Sequence, residues 1–222
     1  MKQKILGILA LLMCVSTPAF ALPLTLFQEP AHIVGPQSTS NPCVIAGTQC
    51  QNPAGFTFTN FVQSGAIPNY NETSPTYTVS QITGVLGSNT FNIAIDVNTA
   101  SHLEKLDLFE VIIGGVVVYT YNAGAIIGTN DSNGNGYADW TLRNVDLSSF
   151  AGATSVQFHT IFSGADDGPE SFFLLAGTPN NPCTVNCFPE VPEPSALMLM
   201  GAGLVFIPVV TRRFFRSKKL EE

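Results

Sequence analysis

LDLFEVIIGGVVVYTY (residues 106–121) decides the fold class. Two runs of β-branched and aromatic residues flank Gly114-Gly115, and a glycine pair inside such a pattern marks a hairpin turn or a bulge. The same grammar recurs on both sides. NTFNIAIDVN (89–98) places Phe91, Ile93, Ile95 and Val97 at alternate positions, so that one face meets a core. FTFTNF (56–61) and TYTVSQIT (76–83) precede it, while DWTLRNVDL (139–147), SVQFHTIF (155–162) and SFFLLAG (171–177) follow. No stretch of the body reads as a helix. Seven or eight strands at this spacing predict an all-β chain with a single β-sandwich domain, jelly-roll-like, over residues 56–178. That length is enough for one core.

Residues 22–55 are rich in Pro, Ser, Thr, Asn and Gln without a sustained period, which predicts an irregular lead-in pinned by a small disulfide loop. Residues 179–191, rich in Pro and Asn, read as a linker. Residues 1–21 read as a secretory signal peptide: Lys2 and Lys4, an apolar run from Ile5 to Val15, and the small-x-small site Ala19-Phe20-Ala21. Cys14 leaves with that signal. Cys43, Cys50, Cys183 and Cys187 remain, an even set in an exported chain, which argues for disulfides. Their spacing suggests the local pairs Cys43–Cys50 and Cys183–Cys187, although other connectivities are formally open. A zinc site is the weaker alternative, because neither pair has C-x-x-C spacing and no histidine partners them.

Charge is segregated. Thirteen of the sixteen acidic side chains but only two of the nine basic ones, Lys105 and Arg143, lie between Leu22 and Glu190. A body so acidic repels phosphate backbones, which excludes nucleic acid as a partner.

NDSNGNGYADW (130–140) is the most informative local stretch of the body. Asp131, Asn133 and Asn135 recur at alternate positions, Gly136 permits a sharp turn, and Asp139 follows. That order matches the first half of a D-x-[DN]-x-[DN]-G calcium loop, with the Tyr137 carbonyl as a further ligand. It resembles the calcium loops of dockerin-like and thrombospondin-type-3 repeats. It departs from the helix–loop–helix version, since Leu142 stands where a bidentate Glu belongs and only Asp131 and Asp139 supply carboxylates. The competing reading is a Gly/Asn-rich turn between strands. Asp166, Asp167 and Glu170 share another loop, which completes a calcium site or simply solvates a turn.

Enzyme signatures are absent. His32, His102 and His159 are widely separated, and there is no G-x-S-x-G elbow. Glu104 with Asp107, or Asp166 with Glu170, are the pairs from which a glycosidase acid and base would come. Asn71-Glu72-Thr73 fits the glycosylation sequon. Trp140, the chain's single indole, adjoins the candidate calcium loop and reads as a core strand residue before a sugar-stacking one.

The apolar segment 196–210 spans about 22 Å as a helix, short of the roughly 30 Å hydrocarbon core. Arg212, Arg213, Arg216, Lys218 and Lys219 follow it, as a cytoplasmic flank does under the positive-inside rule. A transmembrane sorting helix is therefore expected there, with the body outside. Pro192-Glu193-Pro194, the apolar span and the Arg-rich end together resemble a PEP-CTERM sorting signal over residues 192–219. The Leu220-Glu221-Glu222 extension and Pro208 within the span depart from the pattern. The resemblance implies a Gram-negative host, recognition by an exosortase, an inner-membrane-anchored precursor, and a final place at the cell surface or in the extracellular matrix. It implies no activity. The expected role is structural or adhesive, with exopolysaccharide as partner. A secreted hydrolase of matrix polysaccharide is the alternative.

Overall fold

The computed structural model describes residues 20–47, 50–60, 69–98, 104–129, 134–165 and 170–177. The chain divides into two units, Met1–Asn186 and Cys187–Glu222, and every described residue lies in the first. Its elements are β1 (Leu22–Pro23), β2 (Thr25–Gln28), β3 (Cys43–Ala46), β4 (Thr59–Asn60), β5 (Asn69–Thr73), β6 (Tyr77–Thr78), α1 (Val79–Leu86) and β7 (Thr90–Asp96). These are followed by β8 (Glu104–Ile113), β9 (Val116–Tyr121), β10 (Ala125–Ile127), β11 (Trp140–Asp146), β12 (Ser155–Ser163) and β13 (Ser171–Ala176).

The opening stretch folds as a hairpin. Gly114 and Gly115 take φ of 60° and 80°, the two positive values that a tight turn matched to strand twist demands, and β8 pairs antiparallel with β9 across them. Around this hairpin a first sheet runs β1-β9-β8-β12-β5, with β10 on β8 and β6 on β12. A second sheet runs β2-β11-β7-β13-β3-β4. Chain order and sheet order together give β5-β12-β8-β9 facing β3-β13-β7-β11, the arrangement of two Greek keys wound as a jelly roll. One consequence matters for the site. β3, β7, β9 and β12 finish, and β5, β8, β11 and β13 begin, at the same end of the two sheets.

Rings from both sheets share one core. Phe109 and Phe158 of the first sheet meet Phe172 and Phe91 of the second at centroid separations of 5.4 Å (Phe109–Phe172) and 6.1 Å (Phe91–Phe158). Phe162 and Tyr70 stack at 5.3 Å and carry this row toward the end where β8 and β13 begin. Offset and edge-on pairs of this kind each add about 0.5–1.5 kcal/mol beyond the area they bury.

Two expectations are corrected. TYTVSQIT does not form one strand: after β6 it turns into α1, whose buried side chains are Val79, Ile82 and Leu86 at helical spacing. Thr78 caps the helix reciprocally with Gln81, and Gly87 ends it at φ 65°. The lead-in 22–55 is not irregular throughout, because it supplies β1, β2 and β3. It also covers the outer face of the second sheet. Val34 and Cys50 of the lead-in, with Phe58 just beyond it, pack on Cys43, Ala46, Ala94, Ala138 and Phe173 there, with Cys43 and Cys50 joined as a disulfide. Strands β3, β7 and β13 are thus buried on both faces, so CVIA and SFFLLA read as continuous apolar runs.

The signal peptide (1–21, but for its last two residues), Cys183, Cys187 and the span 196–210 lie outside the described residues. Among the described residues, no helix is long and apolar enough to cross a membrane.

Candidate functional site

Four buried carboxyl groups gather at the shared strand end. Asp96 closes β7, Asp139 immediately precedes β11, Glu170 immediately precedes β13, and Glu104 opens β8. All four are nearly or wholly inaccessible to solvent. Strand alternation divides them into two pairs. Phe172 and Leu174 point into the core, so Glu170 points inward too, as does Glu104 in line with Leu106. Asp96 and Asp139 point the other way, because Ile95 and Trp140 occupy the core and are cross-strand partners.

The inner pair joins the two sheets. The carboxyl groups of Glu104 and Glu170 interact, and that interaction favours the protonated form of Glu170. Burial holds the Glu170 carboxyl well above the usual carboxylate range, the Glu104 contact raises it further, and the Asn98 N–H donated to Glu170 Oε2 opposes this. Burial likewise raises the Tyr70 hydroxyl well above its usual value, and the charges of Glu170 and Glu104 add to the effect.

The outer pair sits under the segment 134–138. Gly136 N–H donates to Asp96 Oδ2 at 2.9 Å, and Asp96 Oδ1 is buried without a hydrogen-bond partner. Burial pushes the Asp96 carboxyl up to about 7, with the Gly136 bond opposing and the neighbouring Asp139 charge adding to the rise. Asp139 accepts from Val97 N–H at 2.8 Å through Oδ2 and from the Thr129 hydroxyl at 3.3 Å through Oδ1.

Of the residues proposed for a calcium loop, Asp131 and Asn133 lie outside the described residues. Asn135 spends its side-chain carbonyl on the Tyr137 N–H at 2.8 Å, an Asx turn, and its amide nitrogen lies 3.1 Å from His32 Nε2. The Tyr137 ring packs on His32 at 5.1 Å. Gly134 and Gly136 take the positive φ that so tight a path needs. Of the described loop residues, Asp139 joins the carboxyl cluster with its side chain and Gly136 reaches it with its N–H. Asp166 and Asp167 are outside the described residues, whereas Glu170 joins Glu104. Sequence reading missed Asp96 altogether. Its only local sign is an acid ending an apolar strand, and its neighbour Asp139 lies far along the chain. Among the described residues, no three His, Cys, Asp or Glu side chains form a ready metal cage.

The remaining candidates are ordinary strand positions. Trp140 is buried and donates its indole N–H to Gly128 O at 2.9 Å. His159 bridges Glu110 at 2.8 Å and Asn71 at 2.7 Å across neighbouring strands of the first sheet. Lys105 pairs with Asp107, and Arg143 pairs with Glu29 while lying 4.1 Å over the Phe27 ring.

No curated protein and no solved structure matches the chain. The sorting residues Pro192, Glu193 and Pro194 lie outside the described residues but inside the matched segment. Residues 190–213 match the PEP-CTERM protein-sorting motif, so the chain is a PEP-CTERM motif-containing protein, which implies an exported precursor processed by an exosortase.

Proposed function

We propose that the body is a non-catalytic surface or matrix module, structural or adhesive in role, with exopolysaccharide as its class of ligand and a Gram-negative cell as its host. The observation that carries this reading is the PEP-CTERM motif at 190–213 behind an acidic all-β body.

Burial weighs against the hydrolase alternative. A glycosidase acid and base act across an open cleft with the sugar between them. Glu104 and Glu170 are wholly buried, and Asp107 is tied to Lys105 and the Ser163 hydroxyl. Trp140 is likewise unavailable for stacking, so polar loop groups would hold a sugar.

The sorting part is tested by replacing Pro192, Glu193 and Pro194 together with alanine in the host. A larger, membrane-retained form is expected, and identical size and location in variant and wild type would defeat it. The module part is tested on glycan arrays. Binding without turnover supports it, and polymer cleavage that Glu170→Gln abolishes would defeat it.

A further inference from the structure

We infer that Asp96 and Asp139, beneath the 134–138 segment, form the anionic floor of a calcium site, with Asp96 Oδ1 as a direct ligand. This is independent of the sorting reading. Asp96 Oδ1 is a buried acceptor without a donor, on a side chain only 5% exposed. Gly136 N–H holds the other oxygen at 2.9 Å, which aims the carboxylate at the loop whose sequence carries the calcium-like spacing. An orphaned buried acceptor is destabilising, and a bound cation is the partner that removes that cost.

No cationic side chain is available for the task. Lys105 and Arg143 are the two among the described residues, and they pair with Asp107 and Glu29. A dication facing Asp96 and Asp139 would offset the charge of that pair.

The surroundings select the ion. Thr129 Oγ1 bonds Asp139, and Asn98 Oδ1 lies so close to Gly134 that a Cβ there would stand 3.2 Å from it. These are hard oxygen donors, without thiolate or imidazole among them, which disfavours zinc and copper. Beyond Asp96 and Asp139, the described donors beside them are amide and hydroxyl oxygens, to which carbonyl and water oxygens would add. Calcium accepts six to eight such donors in irregular geometry, whereas magnesium demands a near-ideal octahedron. The carboxylate absent at Leu142 is thus supplied from β7, through the single oxygen Asp96 Oδ1, across the sheet rather than along the chain.

The test uses the full-length chain in detergent, stripped with chelator, and titrated with calcium or magnesium at millimolar concentration. Trp140, beside Asp139, reports binding by fluorescence. Wild type should gain about 5 °C or more in melting temperature with calcium near saturation. Magnesium should give a clearly smaller shift, and Asp96→Asn, which keeps an acceptor for Gly136 N–H, should lose the calcium shift. Asp139→Asn serves in its place if Asp96→Asn does not fold. Absence of any calcium shift in wild type overturns the site, as does a full shift in the folded variant. An equal shift with magnesium overturns the choice of ion.

Discussion

Removing the Asp96 charge while keeping its shape should reverse sign with pH. In chelator, burial holds the Asp96 carboxyl at about 7, against 3.8 in the unfolded chain. Below about pH 4 both states carry the proton and the group contributes nothing. Between about pH 4 and 7 the unfolded chain releases its proton while the folded protein keeps it, so stability falls as pH rises. The fall is close to 1.4 kcal/mol per unit, about 4 kcal/mol in all, and is complete above pH 7. Asp96→Asn abolishes that slope. It retains an acceptor for Gly136 N–H but puts an amide donor where Oδ1 has no partner, at a cost of about 1–3 kcal/mol. The variant should therefore be less stable than wild type near pH 4 and more stable near pH 8. Glu170 responds as well: burial chiefly sets its raised proton affinity, but the Asp96 charge adds to it, so losing that charge moves the difference in the same direction. Urea unfolding followed by Trp140 fluorescence, repeated across this range, measures the difference directly. Parallel stability curves would refute the reasoning, because they would mean that Asp96 ionises as it does in water.

Other perturbations probe the frame around the site. Replacing Cys43 and Cys50 together by alanine opens a loop closed at a sequence separation of 7 and should cost about 2.5 kcal/mol, read as a lower urea midpoint. Gly177→Ala would set a Cβ 3.0–3.2 Å from backbone atoms of Thr90 and Phe91, which have no room to yield. We expect a loss of about 1–3 kcal/mol and faster hydrogen exchange at the Gly177 amide. Thr78→Ala removes the acceptor that caps α1 at Gln81 N–H and should cost about 1 kcal/mol, measured as a drop in melting temperature.

The strands that alternate cleanly were legible from residues alone. Phe91, Ile93 and Ile95, or Val156, Phe158 and Phe162, face a core on one side, and period two reports that fact. α1 was hidden because Tyr77 and Val79 continue the alternation of the preceding residues, although Thr78, Gln81 and Gly87 carry cap signals within the same stretch. β2 and β3 were missed for another reason. They sit among Pro- and Asn-rich turns, and their apolar runs are short because a neighbouring strand and the disulfide supply the remaining order. Sheet order was beyond local reading, since β13 lies between β7 and β3, strands distant from it in sequence. The site inherits that difficulty. Asp139 stood out inside a motif, yet its partner Asp96 is set beside it only by the register of Trp140 on Ile95. Glu104 and Glu170 meet only because the two sheets close on each other.

The cost of this end of the molecule argues for its use. Every buried carboxyl with a raised proton affinity lowers stability near neutral pH, and apolar residues of similar volume would remove the penalty. At the other end the chain spends nothing comparable: α1 lays Val79, Ile82 and Leu86 on the core, and Gly177 packs flat on Thr90 and Phe91. Local violations of good packing that a fold tolerates cluster where function opposes stability. The sorting motif at 190–213 assigns the chain an address and leaves its activity open. The activity is therefore to be sought at the end where β7, β8, β11 and β13 bring their carboxyls together, and Asp96, which no motif marks, is the first residue to change.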